Sequence, residues 1–278
     1  SRLGILFSGG LDCMCLAVLA SKHLPPDEPI DLINVAFENP RALSSGGVVA
    51  AYDVPDRKTG RCGLAELQRL APDRCWQFVE VNVPYADACA AKTHIMQLMA
   101  PANTLMDMSI AMALWFAAGG KGSRAMDSAT SAEPYESACP VLLSGLGADE
   151  LFAGYTRHRE AWRRHGWPGL IDEVQLDLDR ISSRNLGRDD RIISDRAREV
   201  RFPFLDERVV GFACQLPIHV KTDPRLPRGV GEKLLLRAMA ACQLGLSDTS
   251  TRWKRAIQFG ARTAKMESGK ERGTHRAT

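Results

Sequence analysis

Apolar positions in this chain come in short blocks separated by turns. Leu3 to Phe7 is an apolar run that ends in Ser8-Gly9-Gly10, and Asp12 to Lys22 then carries helical spacing. Ile30 to Phe37 and Trp76 to Val83 read as strands, the second with β-branched residues alternating. Between them, Glu38 to Lys58 mixes Pro, Ser, Gly and charge and reads as a loop, while Cys62 to Leu70 predicts a helix. Strand alternating with helix implies right-handed parallel crossovers, hence an α/β fold with a doubly wound parallel sheet. Helices are predicted from Pro84 to Met99 and from Thr104 to Ala118. Gly119 to Ala138 is polar and rich in Gly, Ser and Ala, which predicts a mobile loop. Pro140 to Leu143 is another strand, and Ala148 to Arg164 another helix. Beyond Trp167 the pattern is all helical, with breakers at Pro203, Pro217, Pro224 and Pro227, so a C-terminal helical lobe is expected. From about Gly260 the chain turns polar and basic. One domain over 1–260 with a flexible basic tail over 261–278 is the predicted organisation.

Composition narrows this picture little. The 278 residues are 45% hydrophobic with a formal net charge of +3, too small to argue for a nucleic-acid partner. No run of roughly 18 apolar residues appears, so no membrane span is expected. The opening Ser1-Arg2 enters a strand-like segment at once, unlike a signal peptide, and suggests a cut through a longer protein. None of the eight cysteines forms a C-x-x-C pair, which argues against zinc. Most sit in apolar contexts and read as buried free thiols, which fits a reducing, cytoplasmic compartment.

The candidate chemistry lies in two strand–loop–helix turns. In the first, Ser8-Gly9-Gly10-Leu11-Asp12, backbone N–H groups at a helix start form an anion site and the helix dipole adds positive potential. The two glycines let phosphate oxygens approach the backbone, Ser8 adds a hydroxyl, and Asp12 is placed to hold Mg²⁺ on the phosphates. An ordinary strand-to-helix turn is the plainer reading of the same residues. No Gly-Lys-Ser/Thr follows, so this is no Walker loop, and it is not the G-x-G-x-x-G dinucleotide form. The second turn is Ser144-Gly145-Leu146-Gly147-Ala148-Asp149-Glu150, again with carboxylates just inside a helix, where they serve equally as caps. In a doubly wound sheet both loops face one crevice beyond the strand ends, and Asp12 and Asp149 are expected to share one Mg²⁺.

Together these two motifs resemble the synthetase domain of asparagine synthetases, within the N-type ATP pyrophosphatases. The resemblance extends through Glu199-Val200-Arg201-Phe202-Pro203-Phe204-Leu205-Asp206, through Asp177 to Asp190, through Lys233-Leu234-Leu235-Leu236-Arg237 and through Arg252-Trp253-Lys254 with Gln258-Phe259. The stretches Val54 to Leu67, Arg180 to Arg191 and Lys254 to Glu267 are similar to a diverged animal branch of that family. The resemblance implies an adenine nucleotide α-hydrolase-like fold and ATP-dependent activation of the aspartate β-carboxylate. A β-aspartyl-AMP and pyrophosphate would form, and ammonia from an upstream glutaminase domain would then displace AMP. That glutaminase half is absent from this chain.

Carried over residue by residue, Ser8, Gly9, Gly10 and Asp12 hold pyrophosphate, and Asp12 and Asp149 ligate Mg²⁺. Leu6 and Phe37 flank the adenosine, and Ser144-Gly145 meets its ribose or adenine. Lys233 and Lys254 neutralise the phosphates. Arg201 and Asp206 fall in a matching segment, where a structural salt bridge or helix start is as good a reading as substrate contact. Two departures stand out. Leu146 occupies a position where the family carries Glu, and Cys13 follows Asp12 where the family carries Ser. A leucine can neither accept a proton nor pair with an ammonium. Two functions are therefore weighed: an amide-forming ligase, and a catalytically impaired nucleotide-binding descendant serving as an interaction module.

Overall fold

A computed structural model describes residues 2–39, 51–125, 132–253 and 257–263. Strands β1 (Leu3–Leu6), β2 (Ile30–Phe37), β3 (Trp76–Val83), β4 (Lys121–Ala125), β5 (Ala132–Glu136), β6 (Val141–Leu143) and β7 (Glu199–Arg201) form one sheet in the order β5-β4-β3-β2-β1-β6-β7. The β3-β2-β1-β6-β7 portion is parallel throughout. Central β2 is buried at every position, as expected of a parallel strand covered on both faces.

One face of the sheet is covered by α1 (Leu11–His23) and α2 (Pro55–Leu70), which pack with Leu236 and Ala240 further along. The other face is covered by α3 (Tyr85–Leu98) and α4 (Leu105–Gly119), with Ile192 and Ile193. The chain then forms α5 (Ala148–Leu151), the long α6 (Thr156–Asp179), a π-helical turn at Ser182–Leu186, and α7 (Gly187–Ser194). Four shorter helices follow: α8 (Glu207–Gln215), α9 (Ile218–Lys221), α10 (Leu234–Cys242) and α11 (Ser247–Ser250). The last described helix is α12 (Ile257–Gly260). No helix among the described residues is long and apolar enough to cross a membrane.

Several expectations need correction. Gly119 to Ala138 is not simply a loop: β4 and β5 form an antiparallel hairpin that extends the sheet past β3. Its strands, Lys-Gly-Ser-Arg-Ala and Ala-Glu-Pro-Tyr-Glu, are polar, and β5 forms the edge of the sheet. Helix α2 begins at Pro55, inside the predicted loop, because proline at a first helical position costs no hydrogen bond. Ala148 to Arg164 is two helices, since Ala153 adopts φ 55° between them. The region after Trp167 is not all helical, because β7 pairs in parallel with β6. Ala261, assigned to the tail, is fully buried, and its carbonyl accepts from the Phe37 N–H at 3.1 Å. Only Cys13, Cys15 and Cys139 are buried; Cys62, Cys75, Cys89, Cys214 and Cys242 are exposed.

Strand order fixes where a ligand would bind. From β1 the chain moves to β2 on one side, whereas β6 lies on the other side of β1, so the switch point falls at the carboxyl ends of β1 and β6. Both glycine-bearing turns emerge there.

Candidate active site

The first turn is built by close packing. Gly9 adopts φ +73°, and a Cβ there would overlap the Thr59 carbonyl of α2. The Thr59 hydroxyl donates to the Ser8 carbonyl at 2.7 Å, and Arg252 donates to the Gly9 carbonyl at 2.9 Å. Carbonyls are thus tied back into the protein, while the first amides of α1 lie at a helix start without a side-chain cap. Asn34, buried in β2, donates to the Phe7 carbonyl at 2.8 Å and to the Asp56 carbonyl at 2.9 Å, so the strand that leads into the loop is pinned from both sides.

Lys233 joins the two turns. Its ammonium donates to both oxygens of Asp12 at 2.7 Å and pairs with Asp149 Oδ1 at 2.8 Å. The side chain is 3% exposed. Burial alone would lower the pKa of Lys233, but the two carboxylates outweigh burial and hold it above the usual lysine range. Gly154 is crowded against Asp149 and Lys233, so any side chain there would displace the pair. Arg237, one turn into α10, donates to the carbonyls of Glu232, Ser250 and Arg252, fixing the Lys233 segment to the segment that touches Gly9.

A cavity of about 460 Å³ opens above this centre, within the usual size of a small-molecule pocket. Leu6, Ile33 and Val35 wall one side, Ile110 and Leu114 another, and Ser8, Gly10, Asp12, Ser144, Gly145 and Asp149 border it. Phe37 does not border it. That ring is fully buried edge-to-face against Phe116, because residues 257–263 return over the end of β2 and close the wall after Val35. Ile257 borders the cavity in its place. Lys254 lies outside the described residues. Arg201 forms an exposed pair with Glu199, and Asp206 caps α8 by accepting the Arg208 N–H at 3.0 Å, so both are structural here.

Asp12 and Asp149 converge on one ammonium, which puts them within reach of one cation. Two carboxylates, with phosphate oxygens and water completing the shell, suit the octahedral demands of Mg²⁺. Among the described residues no group of three His, Cys, Asp or Glu converges to hold a metal by itself.

Cys13 borders the cavity and its thiol donates to the Gly10 carbonyl at 3.2 Å. Burial pushes the thiol up to about 11, against the hydrogen bonds from the Ser8 backbone and hydroxyl.

The cavity also has a charged wall, of which the sequence reading named only Glu150, as a possible helix cap, and that carboxylate does cap α5. Glu150 accepts from Tyr155 at 2.6 Å, from Asn185 at 3.0 Å and from the Gly147 N–H at 3.2 Å. Arg188 bridges Asp107 at 2.5 Å and Asp189 at 2.8 Å, tying α4 to α7. The only signal in the sequence was the density of charge from Arg184 to Asp190, and burial of that charge could not be read from spacing. Leu146 stands at the edge of this wall, half-buried.

A cavity at the switch point of a parallel sheet, with two glycine turns and a buried Asp–Lys–Asp centre, defines the class as a doubly wound α/β domain with its candidate site beyond the strand ends. The Asparagine synthase family matches residues 82–174 and 165–272, and the chain belongs to it. It is 46% identical over 306 residues to Asparagine synthetase domain-containing protein 1 of Gallus gallus, covering 99% of this chain and 48% of that protein. The namesake from Homo sapiens is 46% identical over 305 residues, with 99% and 47% covered. Asparagine synthetase domain-containing protein CG17486 of Drosophila melanogaster is 42% identical over 284 residues, with 100% and 47% covered. The chain therefore spans about half the length of these relatives.

Proposed function

We propose that this chain binds ATP with Mg²⁺ and activates a carboxylate, most simply the β-carboxylate of aspartate, for amide formation. The observation that carries the reading is the Lys233 bridge between Asp12 and Asp149 beside the open amides of the first turn. The β- and γ-phosphates would lie on the Ser8 to Asp12 turn, with the nucleoside between Leu6, Val35 and Ser144-Gly145. Mg²⁺ held by Asp12 and Asp149 would offset the charge that builds on the leaving pyrophosphate.

In the first step a carboxylate oxygen attacks the α-phosphorus and the α–β phosphoanhydride bond breaks, giving acyl-AMP and pyrophosphate. Lys233 keeps a fixed positive charge where the pyrophosphate oxygens gain density. In the second step ammonia attacks the acyl carbon, AMP leaves and one proton is lost. Ammonia would come from a glutaminase domain elsewhere in a longer protein, or from solution. A reducing, cytoplasmic setting suits a chain whose cysteines are all free thiols.

One observation favours a second reading, the impaired nucleotide-binding descendant: Leu146 leaves the second turn without a proton acceptor at that position. Aspartate-dependent ATP–pyrophosphate exchange separates the two. Exchange that disappears in Asp12→Ala supports the ligase. Measurable ATP binding with no exchange for any dicarboxylic acceptor would leave only the descendant, and absence of ATP binding would defeat both readings.

A further inference from the structure

The segment Val54 to Leu67 enters the proposed chemistry nowhere, yet the start of α2 lies directly against the first turn. Arg57, on that helix, is 1% exposed. Its Nε donates to Asn34 Oδ1 and its Nη1 to Glu80, both at 2.7 Å. Its Nη2 reaches the carbonyls of Asn34 at 3.4 Å and Val81 at 3.3 Å. Glu80 is held from the solvent side by Arg61, at 2.8 and 3.0 Å. Arg57 is therefore more than one half of an ion pair. Its rigid planar fork sets the direction of each group it touches in β2 and β3.

The group that matters most is Asn34. A carboxamide has nearly the same shape at both ends, so its partners decide which end is oxygen. Asn34 Nδ2 donates to the Phe7 carbonyl at 2.8 Å and to the Asp56 carbonyl at 2.9 Å. Arg57 Nε can only donate, so it keeps Oδ1 on its own side and Nδ2 toward those carbonyls. Turned end for end, the carboxamide would set a donor against Nε and an acceptor against two carbonyls. Phe7 immediately precedes Ser8, whose carbonyl is held at 2.7 Å by the Thr59 hydroxyl of the same helix. Gly60 lets α2 lie this close, since a Cβ there would sit 2.8 Å from Asn34 Nδ2. The two consecutive carbonyls that enter the first turn are thus both tied to α2, one directly and one through Asn34.

We propose that Arg57 and Thr59 are positioning residues for the phosphates. Arg57 fixes the Asn34 carboxamide, and Asn34 and Thr59 keep the Phe7 and Ser8 carbonyls from turning toward a bound phosphate, which a carbonyl oxygen would repel. The N–H groups at the start of α1 are then the backbone groups presented to the anion. This rests on the ATP-binding reading of the first turn.

The test is equilibrium binding of ATP with Mg²⁺, measured well below the melting temperature of each variant. Thr59→Val removes the hydroxyl and is expected to weaken ATP about fivefold, while Thr59→Ser restores wild-type affinity. Arg57→Lys keeps a cation beside Glu80 but loses the fork, and is expected to weaken ATP about tenfold. Asn34→Ala should do the same, and adding Arg57→Lys to it should cost little more, because Arg57 acts through Asn34. In aspartate-dependent pyrophosphate exchange the loss falls on KM for ATP and leaves KM for aspartate unchanged, a split that general destabilisation does not produce. If Arg57→Lys fails to fold, the pair Thr59→Val and Thr59→Ser decides. Wild-type affinity in Thr59→Val and Arg57→Lys overturns the positioning role, as do additive losses for Arg57 and Asn34. A wild type that binds no ATP overturns the ATP reading and this inference with it. The expected losses of affinity without any exchange keep the positioning role and reject only the ligase.

Discussion

At Asp177 a single carboxylate gathers three cationic or donor groups: Arg157 at 2.5 Å, Arg180 at 2.6 Å and His158 at 2.8 Å. Burial would raise its pKa, but the hydrogen bonds of His158, Arg180 and Arg157 prevail and hold it well below the usual aspartate range of about 3.8. Because the folded value is depressed, the stabilisation is present above the unfolded value and is lost as pH falls through the folded one. Asp177→Asn should therefore cost about 2 kcal/mol near neutrality, by weakening the hydrogen bonds of the half-buried Arg157 and Arg180 and of the buried His158. In urea titrations the gap between variant and wild type should shrink steadily below about pH 4.

Lys233 follows the same logic with the signs reversed. Lys233→Ala leaves Asp12 and Asp149 facing one another with their shared cation gone, and a loss of about 3–5 kcal/mol is expected. The two aspartates stood in the two turns and Lys233 came only through the family resemblance; the fold brings the three side chains together. Arg184 and Asp189 were not legible, and Glu150 was read only as a possible cap. Whether a charge faces solvent or a cavity depends on how α4, α5 and α7 converge, and no local pattern encodes that.

Among the elements, the first turn tolerates little change. Gly9→Ala would force a side chain into a left-handed backbone and against the Thr59 carbonyl, so a loss of at least about 2 kcal/mol is expected. ATP affinity should fall with it, as titration with a fluorescent nucleotide would show. Strand β2 was bounded in the sequence because a doubly covered strand is largely apolar, and β3 because its apolar and polar residues alternate. The β4–β5 hairpin was missed because neither Lys121–Ala125 nor the edge strand Ala132–Glu136 carries apolar alternation. The start of α2 was missed for another reason. Its first turn buries Asp56 and Arg57, polar residues that read as loop until Arg57 is seen on Glu80 at 2.7 Å.

Across the whole molecule, the cavity is assembled from segments far apart in the chain. Arg252 holds the Gly9 carbonyl, Lys233 holds Asp12, and Ala261 closes the end of β2. A ligand seated there contacts both ends of the described chain and should stabilise the domain as a unit. At ATP·Mg²⁺ one hundred times its dissociation constant, the gain is about 2.7 kcal/mol. For a domain of this size that is an upward shift of roughly 5–10 °C in thermal melting. Asp12→Ala should abolish that shift. A doubly wound parallel sheet with both turns at one crevice was foreseeable from the βαβ rhythm; the strand order was not. The return of residues 257–263 was not, because a short polar-flanked segment gives no sign of where it docks.

The thiol of Cys13 makes the first turn a natural clock. Five exposed cysteines should be blocked by a brief pulse of alkylating reagent, leaving Cys13, Cys15 and Cys139 untouched. Cys13, buried and pushed up to about 11, reacts only in moments when the turn comes apart. The rate of that slow second modification would report how often the loop opens, with Cys139, in the opposite core of the sheet, as an internal reference. A nucleotide resting on the loop should slow the first rate and leave the second where it was.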